Sequence, residues 1–573
     1  MRVLKITAIL AIIAMAAAAP VFAQTSPTYQ ATAGVFTTDV EDSMDVHYYG
    51  DVQFEKFAAF ITAERISNAT SAIGPSLGYA FKPGGLYLGL FYNGNAVSFT
   101  NLSQADSVRN TYSLTDEILT ETQTITQYTG QDINSNNRIE ALIGVAGMGI
   151  KVGFYERLTT RNNPNITSTT TENFLGSEVT YRNDVTGYSY ANGFMSPSLQ
   201  WGMTLAAGNL KLRPTAGVNF NINLDNENQD RKGVASVLDT TYTMSHGTLV
   251  GVDRKSTTGR NNDYLNPYIY VGADADITEK STIGINYGIT LGIYDKDYSL
   301  YGFKGSVKGG YSILNAERRI ETTPALTTTT NNVGLFITDR ESMSHRIVPS
   351  FRHENEIGGV KFGFIAYVPV TISTSSVTGS GIGTDGYFKS NTTIERVFSH
   401  ASETDRNRTT ITEINGQKQT TDTTTLQISP RLAIGAIYDL IPNRFSVKAG
   451  IGFNPASFTS TTTNVSGGGY ATEKVTIKDE KGDVISVTER VGTVDSTGGF
   501  NPLAAPPGST TIAITDRSTV SDTWTNFSAT ANAGFTFNFS ENMFIDMAVN
   551  GGAGVFDFVL TLTSVEVLFG FKF

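Results

Sequence analysis

The chain has 573 residues, no cysteine, and 42 Lys and Arg against 53 Asp and Glu. The missing thiols exclude disulfide frameworks, thiolate metal sites, thiol nucleophiles and a lipid-modified N-terminal cysteine. A formal charge of -11 leaves no basic footprint for phosphates, which excludes a nucleic-acid partner.

The first element is a leader. Arg2 and Lys5 precede an apolar run from Ile6 to Ala19, and Val21, Phe22 and Ala23 end in a small residue before Gln24. This pattern predicts a secretory signal peptide over 1–23, with cleavage after Ala23. Residues 24–52 then form an N-terminal segment, periplasmic or lumenal, and 53–573 carry the main fold. No later window holds the roughly 18 consecutive apolar residues that a membrane-spanning helix needs.

Residues 53–66, "QFEKFAAFITAERI", are ambiguous. Phe57, Ala59, Ile61 and Ala63 alternate as in a strand, whereas Phe54, Phe57, Ala58 and Ile61 fit a helical stripe. From there on a period of two dominates. Hairpins turn at Lys82–Gly85, Ala146–Gly149, "AAGN", "ITEK", Ile357–Gly359, "IPNR" and Ser540–Asn542. Their strands keep one face apolar and the other made of Gly, Ser, Thr, Asn and charges. Phe527, Ala529, Ala531, Ala533, Phe535, Phe537 and Phe539 are the clearest case, with Ser528, Thr530, Asn532, Gly534, Thr536 and Asn538 between them.

These short turns alternate with long polar connections at about 99–137, 160–193, 225–262, 295–343, 373–425 and 456–523. One of them, Val475 to Val491, reads as a polar hairpin around Lys481, Gly482 and Asp483. Strands of about ten residues with an uncharged apolar face, short turns on one side and long loops on the other predict a transmembrane β-barrel. Parity gives sixteen antiparallel strands, with short periplasmic turns and long extracellular loops. A helix at 53–66, packed as a plug inside fourteen strands, is the alternative.

The chain closes on "VEVLFGFKF". Val565, Val567, Phe569, Phe571 and Phe573 share one face of a final strand. An aromatic last residue on such a strand, behind a signal peptide, resembles the C-terminal signature of bacterial outer-membrane β-barrel proteins. The resemblance implies recognition by the barrel assembly machinery, a place in the outer membrane and contact with its lipid. Phe36 to Val46, Leu77 to Phe81 and Leu86 to Asn95 further resemble the opening of outer-membrane barrels from treponemal spirochaetes.

Motifs for chemistry do not survive their context. Gly74–Gly78, "GPSLG", satisfies a serine-hydrolase pattern, but that nucleophile needs a turn from strand into helix. Gly381–Gly386, "GIGTDG", lacks the strand before and the helix after that a dinucleotide site requires. His47, His246, His345, His353 and His400 have no partner at zinc spacing and read as loop or rim residues. Asp132–Asn137 and Asp225–Asp230 read as solvated loop tips with weak calcium affinity at most. Neither an enzyme nor a cofactor is expected.

The polar faces offer one mechanistic handle. Lys151, Lys211, Arg213, Lys361 and Lys448 lie near the short turns, and Asp274, Asp276, Asp439 and Asp546 lie at matching depth. Lipid-facing cations would cost about 2 to 4 kcal/mol at mid-membrane, so these groups are expected in the lumen or at its rim. They form a mixed-sign belt that tunes ion selectivity or pairs across strands. Three functions fit: a porin-like channel for small hydrophilic solutes, an adhesin contacting host or matrix molecules through its Thr/Ser-rich loops, or a plugged barrel for hydrophobic uptake. Analogy with sixteen-stranded pores suggests a homotrimer.

Overall fold

The computed structural model describes residues 26–573 except 53–54, 67–73, 83, 116–117, 175–176, 209, 238–242, 245–246, 249–250, 323–324, 381–385, 400–406, 468, 496, 504–516, 526 and 554–560. The expected signal peptide and most of "GIGTDG" lie outside the described residues.

The alternating segments fold into one closed ring of sixteen antiparallel strands. In chain order these are β1 (Phe57–Ile66), β2 (Gly74–Phe81), β3 (Leu86–Thr115), β4 (Ile118–Val145), β5 (Met148–Phe174), β6 (Ser177–Met203), β7 (Leu210–Val237) and β8 (Tyr264–Thr278). They continue as β9 (Ser281–Gly292), β10 (Leu326–Ile357), β11 (Val360–Tyr367), β12 (Arg431–Ile441), β13 (Phe445–Asn454), β14 (Ser528–Ser540), β15 (Met543–Ala553) and β16 (Thr561–Lys572). Each pairs with the next. The seam joins β16 to β1, from Ala58 opposite Lys572 to Ile66 opposite Ser564.

Residues 57–66 are therefore a strand, and the plug helix considered for them does not form. The reason is the seam. Without β1, the unpaired edges of β2 and β16 would stand open. The last residue takes part: the Phe573 amide donates to the Phe57 carbonyl, and the Lys56 and Phe57 amides donate to the Phe573 carbonyl. The two rings stack at 6.3 Å.

The short connections fall where the turn chemistry places them. At Gly358 and Gly359, φ values of 62° and 79° make a tight turn that only glycine adopts without strain. Outward positions carry the apolar face, with Val271 at 52 % and Ile285 at 56 % exposure. A continuous exposed belt of aliphatic side chains is satisfied by hydrocarbon rather than by water, so the wall is built to span a membrane.

Among the described residues, the long connections are mostly strand. β3 to β7 have 27 to 30 residues, and β10 has 32. At about 3.3 Å per residue such strands far exceed the 9 to 11 residues that cross a bilayer. Most of the Thr, Ser and Asn runs extend the ladder beyond the belt. Asp132–Asn137 and Asp225–Asp230 lie within β4 and β7 rather than at loop tips, and Gly74–Gly78 lies within β2 without a strand-to-helix turn. The hairpin around Lys481 forms, with 471–478 paired to 484–494.

Two excursions leave the wall. Residues 295–308 form a hairpin whose Tyr298 and Val307 cover Val333, Leu335 and Ile337 on β10. Those odd-numbered positions continue the outward face of β10, so this hairpin lies on the exterior. On the inner face, Val494 and Phe500 pack against Phe336 and Phe388.

Candidate functional site

Residues 26–52 occupy the bore at the short-turn end. Ser26 caps α1 (Pro27–Ala31), and Thr38 with Glu41 forms a capping box on α2 (Asp39–Asp42). Neither helix is long enough to stand alone in water. Their stability comes from the wall around them.

The segment meets the wall from β11 round through β16 and the seam to β7. Ala33, Val35 and Phe36 pack with Ala433 on β12. Val40, Met44, Val46, Tyr49 and Val52 join Phe60, Tyr87, Leu142 and Leu568 in one buried cluster. Lumen-facing glycines permit the close approach. At Gly450 a Cβ would stand 2.3 Å from the Thr32 carbonyl carbon, and at Gly149 it would stand 2.6 Å from the Val46 carbonyl oxygen.

Polar groups fix the register. The Tyr87 hydroxyl donates to the Ser43 carbonyl at 2.7 Å, the Tyr49 hydroxyl to the Met148 carbonyl at 3.0 Å, and Asn532 Nδ2 to the Gln30 carbonyl at 2.9 Å. Lys572 pairs with Asp39.

The deepest anchor is a buried ion pair completed by Thr28. Lys448 Nζ lies 2.6 Å from Asp546 Oδ1, with side chains 3 % and 2 % exposed. Gly534 stands opposite Lys448 on β14, which leaves room to reach across that strand to β15. Thr28 of the inserted segment donates to Asp546 Oδ2 through its amide at 2.9 Å and its hydroxyl at 2.6 Å. Lys448 also meets the Thr28 hydroxyl, and Thr536 donates to Asp546 Oδ1. A charged pair this dry needs every lone pair matched, and the insert supplies part of that matching.

A second pair lies across the bore. Arg213 grips Asp276 with two bonds of 2.6 Å, stands in register with Asp274, and has its guanidinium 4.8 Å from the centre of the Tyr48 ring. The remaining belt positions are less engaged. Lys211, Lys361 and Asp439 are exposed and Lys151 is half-buried; Asp439 accepts from Ser446 at 2.6 Å. At the far end of the chain, Phe569 and Phe573 are exposed on the outer face.

The insert carries its own titrating groups. Burial raises the Glu41 carboxyl. Asp42 is pushed up to about 7, first by burial and then by Glu41, Asp45 and Asp39, against a hydrogen bond from Thr37. Burial lowers His47 below its usual range, while Asp45 and Asp274 work in the opposite sense. The other described histidines are wall residues: His345 bonds Tyr287 and His353 bonds Ser281.

The expectation of a periplasmic or lumenal segment at 24–52 carries no path for it. The row of inward glycines near the short turns was the available signal, because small residues at one depth on many strands imply a body packed against them.

No family model matches the chain, and no curated protein matches it. Among solved structures, a CymD monoaromatic hydrocarbon channel is similar at 11% identity, covering 96% of this chain and 97% of that one, with a TM-score of 0.28. The Pseudomonas putida toluene transporter TodX is similar at 8% identity, over 97% and 99% of the two chains, with a TM-score of 0.29. A Pseudomonas aeruginosa ferric enterobactin receptor covers 91% of this chain and 81% of its own at 8% identity, with a TM-score of 0.22. Scores this low carry no argument about substrate, and the barrel rests on its own strand registers.

Proposed function

We propose that this chain is an outer-membrane transport barrel for small hydrophilic solutes, shut at its periplasmic end by residues 26–52. The observation that carries this reading is the inserted segment, held against the wall from β11 through the seam to β7. An always-open porin fits poorly with a buried body across the mouth. Passage then requires the segment to shift. The belt charges do two jobs in this reading: Lys448 and Asp546 hold the gate, and the exposed Lys211, Lys361 and Asp439 meet solutes once it moves.

The test is conductance in planar bilayers after heat-modifiable gel migration has confirmed a folded barrel. The full chain should be nearly silent, and a variant lacking 26–52 should give large, steady steps. The double substitution Ala33→Cys with Gly452→Cys adds a lock, since a Cβ at 452 would stand 3.8 Å from that of Ala33, within the usual span for a disulfide. Oxidising this pair should abolish residual openings and reduction should restore them. A folded deletion variant that stays silent sinks the proposal.

The tall, hydroxyl-rich extension of the strands favours a second reading, contact with host or matrix molecules. A chain trimmed of 471–502 that keeps its conductance but loses cell or matrix binding would separate that role from transport.

A further inference from the structure

Above the insert, one panel of the inner wall has a composition of its own. The inward positions of β7 between Arg213 and Asp225 are Thr215, Gly217, Asn219, Asn221 and Asn223. Those of β8 above Asp274 are Gly272, Tyr270, Tyr268, Asn266 and Tyr264. β9 adds Asn286, Gly288, Thr290 and Gly292, followed by Tyr294. These three strands carry no inward charge over this stretch, although charged belts bound it above and below and Arg346 on β10 stands opposite Gly288 at its lateral edge.

The tyrosines are paired. Tyr268 and Tyr270 have ring centres 5.4 Å apart and planes 22° apart. Tyr264 and Tyr294 form a second pair at 5.2 Å and 34°. Tyr268 lies four positions beyond Tyr264 along β8, about 13 Å of strand.

Glycines set the rings against the wall. A Cβ at Gly288 would lie 2.3 Å from the Tyr268 ring, and one at Gly217 would lie 2.5 Å from the Tyr270 ring. Tyr268 thus leans over β9 and Tyr270 over β7, each filling the space a side chain would take. The outcome is a broad aromatic surface beside rows of amides and hydroxyls. One of these is already oriented, because Ser196 donates to the Asn221 side-chain carbonyl at 2.7 Å.

We infer that this panel is a binding track for a neutral, polyhydroxylated solute, an oligosaccharide or glycoside. This names the substrate class of the bore proposed above and rests on that reading. Aromatic faces take the apolar C–H faces of a sugar ring, and asparagine, serine and threonine offer both donors and acceptors to its hydroxyls. An ion path would line the panel itself with charges, whereas here the nearest in register, Arg346, stands at its edge on β10. A hydrocarbon site would lack the amides, which would be left without partners beside an apolar ligand.

The test titrates the full chain, refolded in a sugar-free detergent, with maltohexaose, cellohexaose and toluene, followed by saturation-transfer NMR. At least one oligosaccharide should bind with a dissociation constant of about 1 mM or tighter. Y268A with Y270A should weaken it about tenfold or more, as loss of two stacking faces predicts. Y268F should bind as the parent does. G288A, which pushes the Tyr268 ring off its seat, should weaken binding without removing a polar group. Failure of both sugars to bind, or binding of toluene alone, overturns the inference. The gate reading is judged separately: if deletion of 26–52 opens a pore that binds no sugar, the track falls and the gate stands. Sugar binding beside a silent deletion variant gives the reverse.

Discussion

Two ion pairs stand near the same mouth of the barrel, and they differ in what covers them. Lys448 and Asp546 are almost wholly dry, with Thr28 of the inserted segment completing their bonds. Arg213 and Asp276 are 7 % and 20 % exposed and satisfy each other, with Arg213 meeting the insert at the face of Tyr48. The first pair depends on the gate and the gate on it. The second is a wall strut that the gate leans on. Identical logic in the sequence, a cation and an acid at matching depth on nearby strands, thus yields a latch in one place and a brace in another.

The largest effect should come from breaking the latch on one side. D546A leaves Lys448 as an uncompensated buried cation, and such removals cost about 3 to 5 kcal/mol. The insert should leave its seat while the barrel stays folded. Protease cleavage within 26–52, read beside gel migration, checks both halves of that statement. Adding K448M should restore much of the protection, because replacing a buried pair by apolar groups is close to neutral. An unchanged cleavage rate in D546A would make the latch a brace like the other.

Acidity should act next. A carboxyl whose docked pKa stands above its free value favours docking while protonated. For Asp42, free near 3.8 and about 7 when docked, docking is strongest below the lower value, weakens as pH rises between the two, and is weakest above the upper. The full shift is worth about 4 kcal/mol at about 1.4 kcal/mol per unit, and partial exposure reduces it to about 2 to 3 kcal/mol. Opening frequency should therefore rise from pH 4 toward pH 7. D42N should flatten that slope, leaving the part due to Glu41, which burial raises in the same sense, set against an opposite contribution from His47, whose burial favours the neutral ring. A flat profile in the parent chain would mean that the segment does not undock in this range.

Much of this architecture was legible before any coordinates. The period of two in Phe527–Phe539 fixed which face meets lipid, and the even-numbered strand count demanded a strand from residues whose helical stripe was equally good. The seam decided that case, since Ala58 to Ile66 answer Lys572 to Ser564 residue by residue. The long polar stretches hide their strands for a physical reason. Runs such as Thr327–Thr330 are polar on both faces, so alternation is silent, yet their backbones pair with Glu321, Thr322 and their neighbours. Backbone ladders do not need a pattern that side chains advertise. The insert was harder still, because Thr28 and Asp546 lie 518 residues apart, and no local pattern encodes that contact.

The smallest expected effect is the one that most sharpens the contrast between latch and brace. R213K keeps a cation beside Asp276 but gives up the two-pronged grip and the flat stacking on Tyr48, a loss of about 1 kcal/mol. Because this pair closes on itself, the loss should fall mainly on the wall, lowering the thermal midpoint of barrel unfolding slightly while cleavage of 26–52 changes little. R213M removes the charge as well and strands Asp276, which still keeps its bond from Thr282 at 2.8 Å, so its cost should stay below that of D546A. If R213K instead frees the insert as readily as D546A does, the Tyr48 contact is a second latch, and the gate is held from both sides of the bore rather than hinged on one.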